Sequence, residues 1–376
     1  MSLPIDELKQ WSTFLHRAVM LLCFLLCAVP SLAQGSKFAA AAPGRKLTFP
    51  RDHGKHPDFQ TEWWYFTGNL RSSANRWGFQ LTFFRRCLVK KPPRWRSAWT
   101  VRDLYPAHFA LTDARNKRFF HSDLISREGP GLAGAASDTL DVRVRDWSAT
   151  IEGETIRLHA RQGDHALDLV LIPRKPPVLH GENGYSRKGS SPGQASYYYS
   201  FTRLEADGAI TFAGESLPVK GWAWMDHEFG SSILLKRQAG WDWFSVQLDD
   251  GSELMLFYLR NKDGSRDKLF GTYVPTQGPT IELEDGSTTV LATDHWKSPS
   301  TGATYPSGWT IVIPSHELDL SVRPLVADQE LSTGKSTSIA YWEGAVEVRG
   351  HKAGRPVQGE GYVELTGYAQ AMGGRL

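Results

Sequence analysis

Gly78-Phe79-Gln80-Leu81-Thr82-Phe83-Phe84 alternates apolar with polar side chains, and that period of two marks a β-strand with one buried face. The same signature recurs outward in both directions. Trp63-Trp64-Tyr65-Phe66-Thr67 lies upstream; Leu140-Asp141-Val142-Arg143-Val144, Ile156-Arg157-Leu158-His159-Ala160 and Ala166-Leu167-Asp168-Leu169-Val170-Leu171 lie downstream. A helical repeat occurs almost nowhere. Asp207-Gly208, Asp249-Asp250-Gly251, Asp263-Gly264 and Asp285-Gly286 read as hairpin turns, since glycine tolerates the positive φ such turns demand. The chain is therefore expected to be all-β, its antiparallel meanders closing into barrels: closure removes exposed edges, and a small barrel of about eight strands holds one small ligand.

Composition agrees. The 376 residues include 14 Trp, 12 Tyr and 18 Phe beside 35 Gly and 21 Pro, a balance that favours short strands and tight turns. With 43 basic and 40 acidic residues the formal net charge is only +3, so attraction to nucleic acid or to a membrane surface is not implied. The basic run Lys90-Lys91-Pro92-Pro93-Arg94-Trp95-Arg96 is short and reads as a solvated loop.

The opening residues read as an export signal. Lys9 and Arg17 precede an apolar run over 18–29, and Ser31-Leu32-Ala33 offers small residues where a signal peptidase reads, with cleavage expected after Ala33. A periplasmic or secreted protein follows, with no membrane span after cleavage. Cys23 and Cys27 lie in the apolar run, leaving Cys87 and no intramolecular disulfide. About 340 residues remain, enough for two domains at about 100 to 200 residues each. These are placed at 45–232 and 236–376. Residues 174–196, rich in Pro, Gly and Ser, read as a mobile loop over a barrel mouth.

Three clusters carry the candidate chemistry. In the first, Glu62 precedes Trp63-Trp64-Tyr65-Phe66; alternation puts Trp63 and Tyr65 on one face, Glu62 and Trp64 on the other. A Glu buried beside Trp would have its ionised form disfavoured and so become a proton donor. In the second, Trp222, Trp224, Asp226 and Glu228 share a face opposite Ala223, Met225 and His227. Two carboxylates on an aromatic wall make a candidate acid–base site, and hydrogen bonds to loop backbone are the plain alternative. In the third, Trp241 and Trp243 share a face and are expected in the second barrel's core, with Asp242 pointing away. Asp226-His227-Glu228 lacks the spacing for metal ligands, and no metal or cofactor is expected. A nucleotide-cradling glycine loop, a zinc-type Cys pair and a Gly-x-Ser-x-Gly elbow are absent from the sequence.

Taken together, Thr61-Glu62-Trp63-Trp64-Tyr65, Ser196-Tyr197-Tyr198-Tyr199-Ser200, Trp224-Met225-Asp226-His227-Glu228, Gly240-Trp241-Asp242-Trp243-Phe244 and Tyr362-Val363-Glu364-Leu365-Thr366-Gly367-Tyr368 resemble the AttH-type lipocalin-like family. That family includes predicted secreted hydrolases and is distantly related to bacterial carotenoid 1,2-hydratases. The resemblance implies two lipocalin-like (calycin-type) barrels packed side by side, and association with an ABC transporter permease in some relatives. The hydratases protonate a carbon–carbon double bond to give a tertiary cation that aromatic walls steady. Their acid, an Asp in a Tyr-x-Asp-His pattern, is similar to Asp226 followed by His227, with Trp224 in place of the Tyr.

Three functions stay open at this stage. The first is a protein binding a hydrophobic or amphipathic small molecule, with Trp63, Trp64, Tyr65, Tyr198, Trp222, Trp224, Glu228, Trp241 and Trp243 lining the site. The second is a hydratase or hydrolase using Asp226, His227 and Glu62. The third is an envelope scaffold without a ligand.

Overall fold

The computed structural model describes residues 38–373 except residue 74, residues 91–99, residues 190–192 and residue 233. The export signal, its cleavage point, Cys23, Cys27 and most of the basic run lie outside the described residues. Phe38–Leu376 forms a compact unit.

The first sheet has thirteen strands: β1 (Thr61–Arg71), β2 (Arg76–Cys87), β3 (Asp103–Asp113), β4 (Arg118–Arg127), β5 (Ala133–Ala135), β6 (Asp141–Val144), β7 (Trp147–Glu152), β8 (Thr155–Gln162), β9 (His165–Pro173), β10 (Val178–Leu179), β11 (Tyr185–Arg187), β12 (Ala195–Phe212) and β13 (Glu215–Gly230). Each pairs antiparallel with its neighbour, and the first long strand returns to pair with the last, β1 with β13. The ladder is interrupted between β4 and β5. The result is a nearly closed up-and-down barrel.

The second sheet repeats the plan with ten strands: β14 (Gln238–Leu248), β15 (Glu253–Asn261), β16 (Arg266–Val274), β17 (Ile281–Leu283), β18 (Thr289–Lys297), β19 (Thr304–Ile313), β20 (Leu318–Pro324), β21 (Glu330–Ser332), β22 (Ala340–Lys352) and β23 (Arg355–Leu365). Here β14 pairs with β23, and the interruption falls between β17 and β18. No helix among the described residues is long and apolar enough to cross a membrane.

Each barrel has its own core, and alternation decides which side chains fill it. Trp64, Phe66, Phe79, Leu81, Phe83 and Met225 point into the first; Phe244, Val246, Leu256, Trp309 and Val363 point into the second. Their neighbours in sequence point outward, yet on β1, β13 and β14 these are buried too, because the barrels press together along those strands. Tyr65, Tyr198 and Trp224 from the first barrel meet Trp243, Met255, Phe257, Ala345 and Tyr362 from the second. Trp241 and Trp243 thus pack between the barrels, contrary to the expected place in the second core. It is Asp242 that points into that barrel, where Tyr258, Arg260 and Tyr368 hold it.

Two local expectations also need correction. Asp207-Gly208 lies inside β12, not at a hairpin; Gly208 is required because a Cβ there would sit 2.1 Å from the Asp168 carbonyl oxygen on the adjoining strand. The hairpin comes at Ala213-Gly214, both at positive φ. The stretch 174–196 is not strandless either, since β10 and β11 dock on β12.

Candidate functional site

The register of three adjoining strands builds the site. Tyr65 on β1 lies opposite Asp226 on β13, which lies opposite Ser200 on β12; one step along, Trp63, Glu228 and Tyr198 form the next row. Across the junction, Phe257, Trp243, Glu364 and Glu343 form the facing row on β15, β14, β23 and β22. Side chains two apart on a strand share a face, so pairing alone brings these residues to one wall of each barrel.

Asp226 is 4% exposed and both its oxygens are occupied. Tyr198 Oη donates to Oδ2 at 2.6 Å, while Ser200 Oγ at 2.5 Å and Trp224 Nε1 at 2.6 Å donate to Oδ1. Trp243 Nε1 in turn donates to Tyr198 Oη at 3.0 Å, tying the second barrel to the carboxyl. Burial pushes Asp226 up to about 7; the three donors oppose this, and the charge of Glu228 adds to it. A carboxyl poised there both holds and releases a proton near neutral pH.

More carboxyls surround it. Glu228 accepts from Ser196 Oγ and pairs with Lys188 at 3.0 Å. Glu364, half-buried, accepts from Trp241 Nε1 at 2.7 Å and is pushed to about 7 by burial and by Asp226, Glu228 and Asp242, against the Trp241 bond. Glu343 accepts from Tyr65 Oη at 2.9 Å, and burial together with Glu364 holds it well above the usual range.

Glu62, His227 and Trp64 face the other way, into the first barrel. Glu62 bonds His56 Nδ1 at 2.6 Å, His227 Nε2 at 3.0 Å and Arg85 Nε at 2.9 Å. Burial alone would raise its pKa, but His56, His227 and Arg85 outweigh that and hold it well below the usual range. The sequence expectation of a Glu62 proton donor is therefore corrected: buried beside Trp64 it is, yet a guanidinium and two imidazoles keep it ionised. Trp64 stacks on His227 at 5.0 Å and donates to the His53 carbonyl. His56, Glu62 and His227 bring their ligand atoms within 4.8 Å of one another, a donor set of the zinc type. Arg85 beside Glu62 already supplies the positive charge a cation would. Trp222 is half-buried under the Arg203 guanidinium and stands outside the aromatic junction.

Open space lies next to this wall. A cavity of about 210 Å³ is bounded by His180, Tyr185, Met255, Phe257, Phe270 and Thr272. Phe257 and Phe270 stack with ring centroids 5.0 Å apart, and the Lys188 ammonium sits 4.0 Å from the Phe257 ring. A larger depression of about 470 Å³ opens near Arg71, Asn75 and Arg115 and touches none of the aromatic junction.

His180 is the residue that sequence reasoning missed. It sits just after β10 in the stretch read as a loop, fully buried, with Nε2 2.6 Å from Ser200 Oγ and Nδ1 2.9 Å from Thr272 Oγ1. Burial and then the Lys188 charge push it down to about 3, so the ring is neutral. Lone His and Thr residues carry no spacing signal; the Pro-rich surroundings masked this one.

Comparisons with known proteins bear on this arrangement. The AttH-like family matches residues 40–368. An AttH protein of Nitrosomonas europaea has a crystal structure similar to this one, with TM-score 0.79 and 39% identity, covering 88% of this chain and 100% of the other. Kievitone hydratase from Nectria haematococca shares the fold, with TM-score 0.66 and 16% identity over 89% of this chain and 97% of the other. The dehydratase AsqC of Emericella nidulans is 24% identical over 224 residues, 56% of this chain; the chain spans 61% of that protein's length.

Proposed function

The chain belongs to the AttH-like family, and from that premise we propose that it is a hydro-lyase, adding water to or removing it from an apolar small molecule at the junction of the two barrels. The observation that carries this reading is Asp226: a carboxyl 4% exposed, pushed to about 7, and set in a wall of Trp224, Tyr198 and Trp243. A passive carrier has no use for such a group, whereas hydration needs it twice. Its proton passes to an alkene carbon and a tertiary cation forms; water adds to the cation, and the proton that water sheds returns to the carboxylate. The rings of Tyr185, Phe257 and Phe270 that line the adjoining cavity stabilise the cation while it lasts. The two relatives with named activities, a hydratase and a dehydratase, support this over the carrier and scaffold readings. His227 and Glu62 support the strand from the barrel interior and take no part in the chemistry. The proposal sets the activity outside the cytoplasm, a reading supported by the opening apolar run of the sequence, and a transporter partner is not needed for it.

The test is a panel of trisubstituted alkenes and their tertiary alcohols, incubated in ¹⁸O-labelled water and followed by mass spectrometry. Wild-type protein is expected to incorporate label, and Asp226→Asn to lose about 10²- to 10⁴-fold, the usual worth of a positioned acid. Label incorporation that survives Asp226→Asn undamaged overturns the assignment.

A further inference from the structure

Both oxygens of Asp226 are hydrogen-bonded and neither cavity described above is lined by it, so its proton needs a route to reach either. The geometry points to one: we propose that Asp226, Ser200, His180 and Thr272 form a proton wire that delivers the carboxyl proton to the cavity beside Phe257, where the reacting end of the substrate sits. The substrate half of this inference rests on the hydro-lyase reading; the wire itself does not.

The links are continuous. Asp226 Oδ1 lies 2.5 Å from Ser200 Oγ, Ser200 Oγ lies 2.6 Å from His180 Nε2, and His180 Nδ1 lies 2.9 Å from Thr272 Oγ1. Both His180 and Thr272 line the cavity, and the chain of bonds crosses from the first barrel to the second. Every member is a group that both donates and accepts, or exchanges the two roles by switching tautomer.

The proton count closes. With Asp226 protonated, its O–H donates to Ser200 Oγ, the Ser200 O–H donates to His180 Nε2, and the His180 Nδ1–H donates to Thr272 Oγ1, whose own proton points at the substrate. One concerted shift moves each proton a single step. Thr272 gives its proton to the substrate carbon and receives one from Nδ1; Nε2 takes the Ser200 proton; Ser200 takes the Asp226 proton. The carboxylate then accepts from Ser200, and His180 has changed tautomer without becoming charged. That neutrality matters, because the Lys188 ammonium on one side and burial on the other oppose an imidazolium. Tyr198, its ring tilted by 40° against His180 with centroids 4.3 Å apart, packs on the imidazole and keeps its own hydroxyl on Asp226.

The cavity also limits the substrate. At about 210 Å³ it falls below the roughly 300 to 1,000 Å³ of sites that enclose a whole drug-sized ligand. It therefore takes one branched or ring-sized end, against Met255, Phe257 and Phe270, while the rest of the molecule leaves by the mouth between the exposed Arg187, Lys268 and Glu282.

Infrared spectroscopy tests the wire with no substrate present. The C=O band of protonated Asp226, identified by difference against Asp226→Asn, is followed after transfer into D₂O on the acid side of its titration. Exchange is expected to be fast in wild type and in Thr272→Ser, which keeps the hydroxyl. It is expected to slow at least tenfold in Thr272→Val and His180→Gln, and Ser200→Ala breaks the same chain should either of these fail to fold. Wild-type exchange rates in folded Thr272→Val and His180→Gln overturn the wire. On the alkene panel, Thr272→Val is expected to lower kcat at least tenfold with KM little changed, restored by Thr272→Ser. Slow exchange in the cut variants with no turnover by wild type supports the wire and sinks the hydro-lyase reading instead; turnover that depends on Asp226 but on none of the other three overturns delivery through them.

Discussion

Asp226 and Glu62 are carboxyls buried on adjoining strands of one barrel, and burial alone would raise both. What separates them is the neighbour. Glu62 has a guanidinium and two imidazoles within 3.0 Å, whereas Asp226 has neutral hydroxyls and an indole, so the first stays ionised and the second titrates near neutrality. A stability prediction follows for Asp226. Its folded pKa, about 7, exceeds the ordinary 3.8, so between those values the folded state binds more protons than the unfolded one and stability falls as pH rises. Asp226→Asn removes that slope. Denaturant titrations at several pH values from 4 to 8 are expected to show wild type losing on the order of 3 kcal/mol relative to the variant. Parallel curves would show that the carboxyl is ionised throughout.

At the scale of elements, the segment from β10 to β11 matters most. It places His180 under Ser200 and caps the cavity, and a tight turn at Gly181 makes that possible. Gly181 has φ +67°, and a Cβ there would meet the Tyr185 carbonyl oxygen at 2.5 Å. Gly181→Ala is therefore expected to cost at least the roughly 1–2 kcal/mol of a left-handed residue and to displace His180, slowing exchange at Asp226. Gly214→Ala is the control: φ is +84°, but nothing lies within 4 Å, so stability falls while exchange is unchanged. Equal exchange in both variants would remove the segment from the proton route. The strands around it were legible, since β2, β6, β8 and β9 show the period of two that marks them and β1 shows a run of aromatics. The segment itself was not, because two short strands of two and three residues among prolines and glycines have no room to display a period.

For the molecule as a whole, the decisive feature is that the barrels share an apolar wall. Domain contacts within a chain are usually polar and loose; this one buries Tyr198, Trp224, Trp243 and Tyr362 and is bordered by ion pairs such as Lys175 with Glu253 and Arg71 with Glu360. Unfolding in urea is accordingly expected to be a single transition, coincident by tryptophan fluorescence and far-ultraviolet circular dichroism. Trp243→Ala is expected to destabilise it by about 3–5 kcal/mol. Two resolved transitions in wild type would show the barrels to be independent.

The amino-acid sequence by itself determined the all-β class, the facing of residues along each strand, and the set of carboxylates and aromatics from which the site is drawn, because alternation and turn chemistry are local and act within a few residues. It also held a sign of the shared wall: Trp63-Trp64-Tyr65-Phe66 is apolar on both faces, which a barrel with one face in water does not require. Only the tertiary structure decided which carboxyl stays ionised, where the two tryptophans of Gly240-Trp241-Asp242-Trp243-Phe244 pack, and that His180 and Thr272, 92 residues apart, complete a path to Asp226. Those outcomes depend on which groups meet across strands and between barrels, and a pKa or a hydrogen-bonded chain is a property of that meeting rather than of any one stretch of chain.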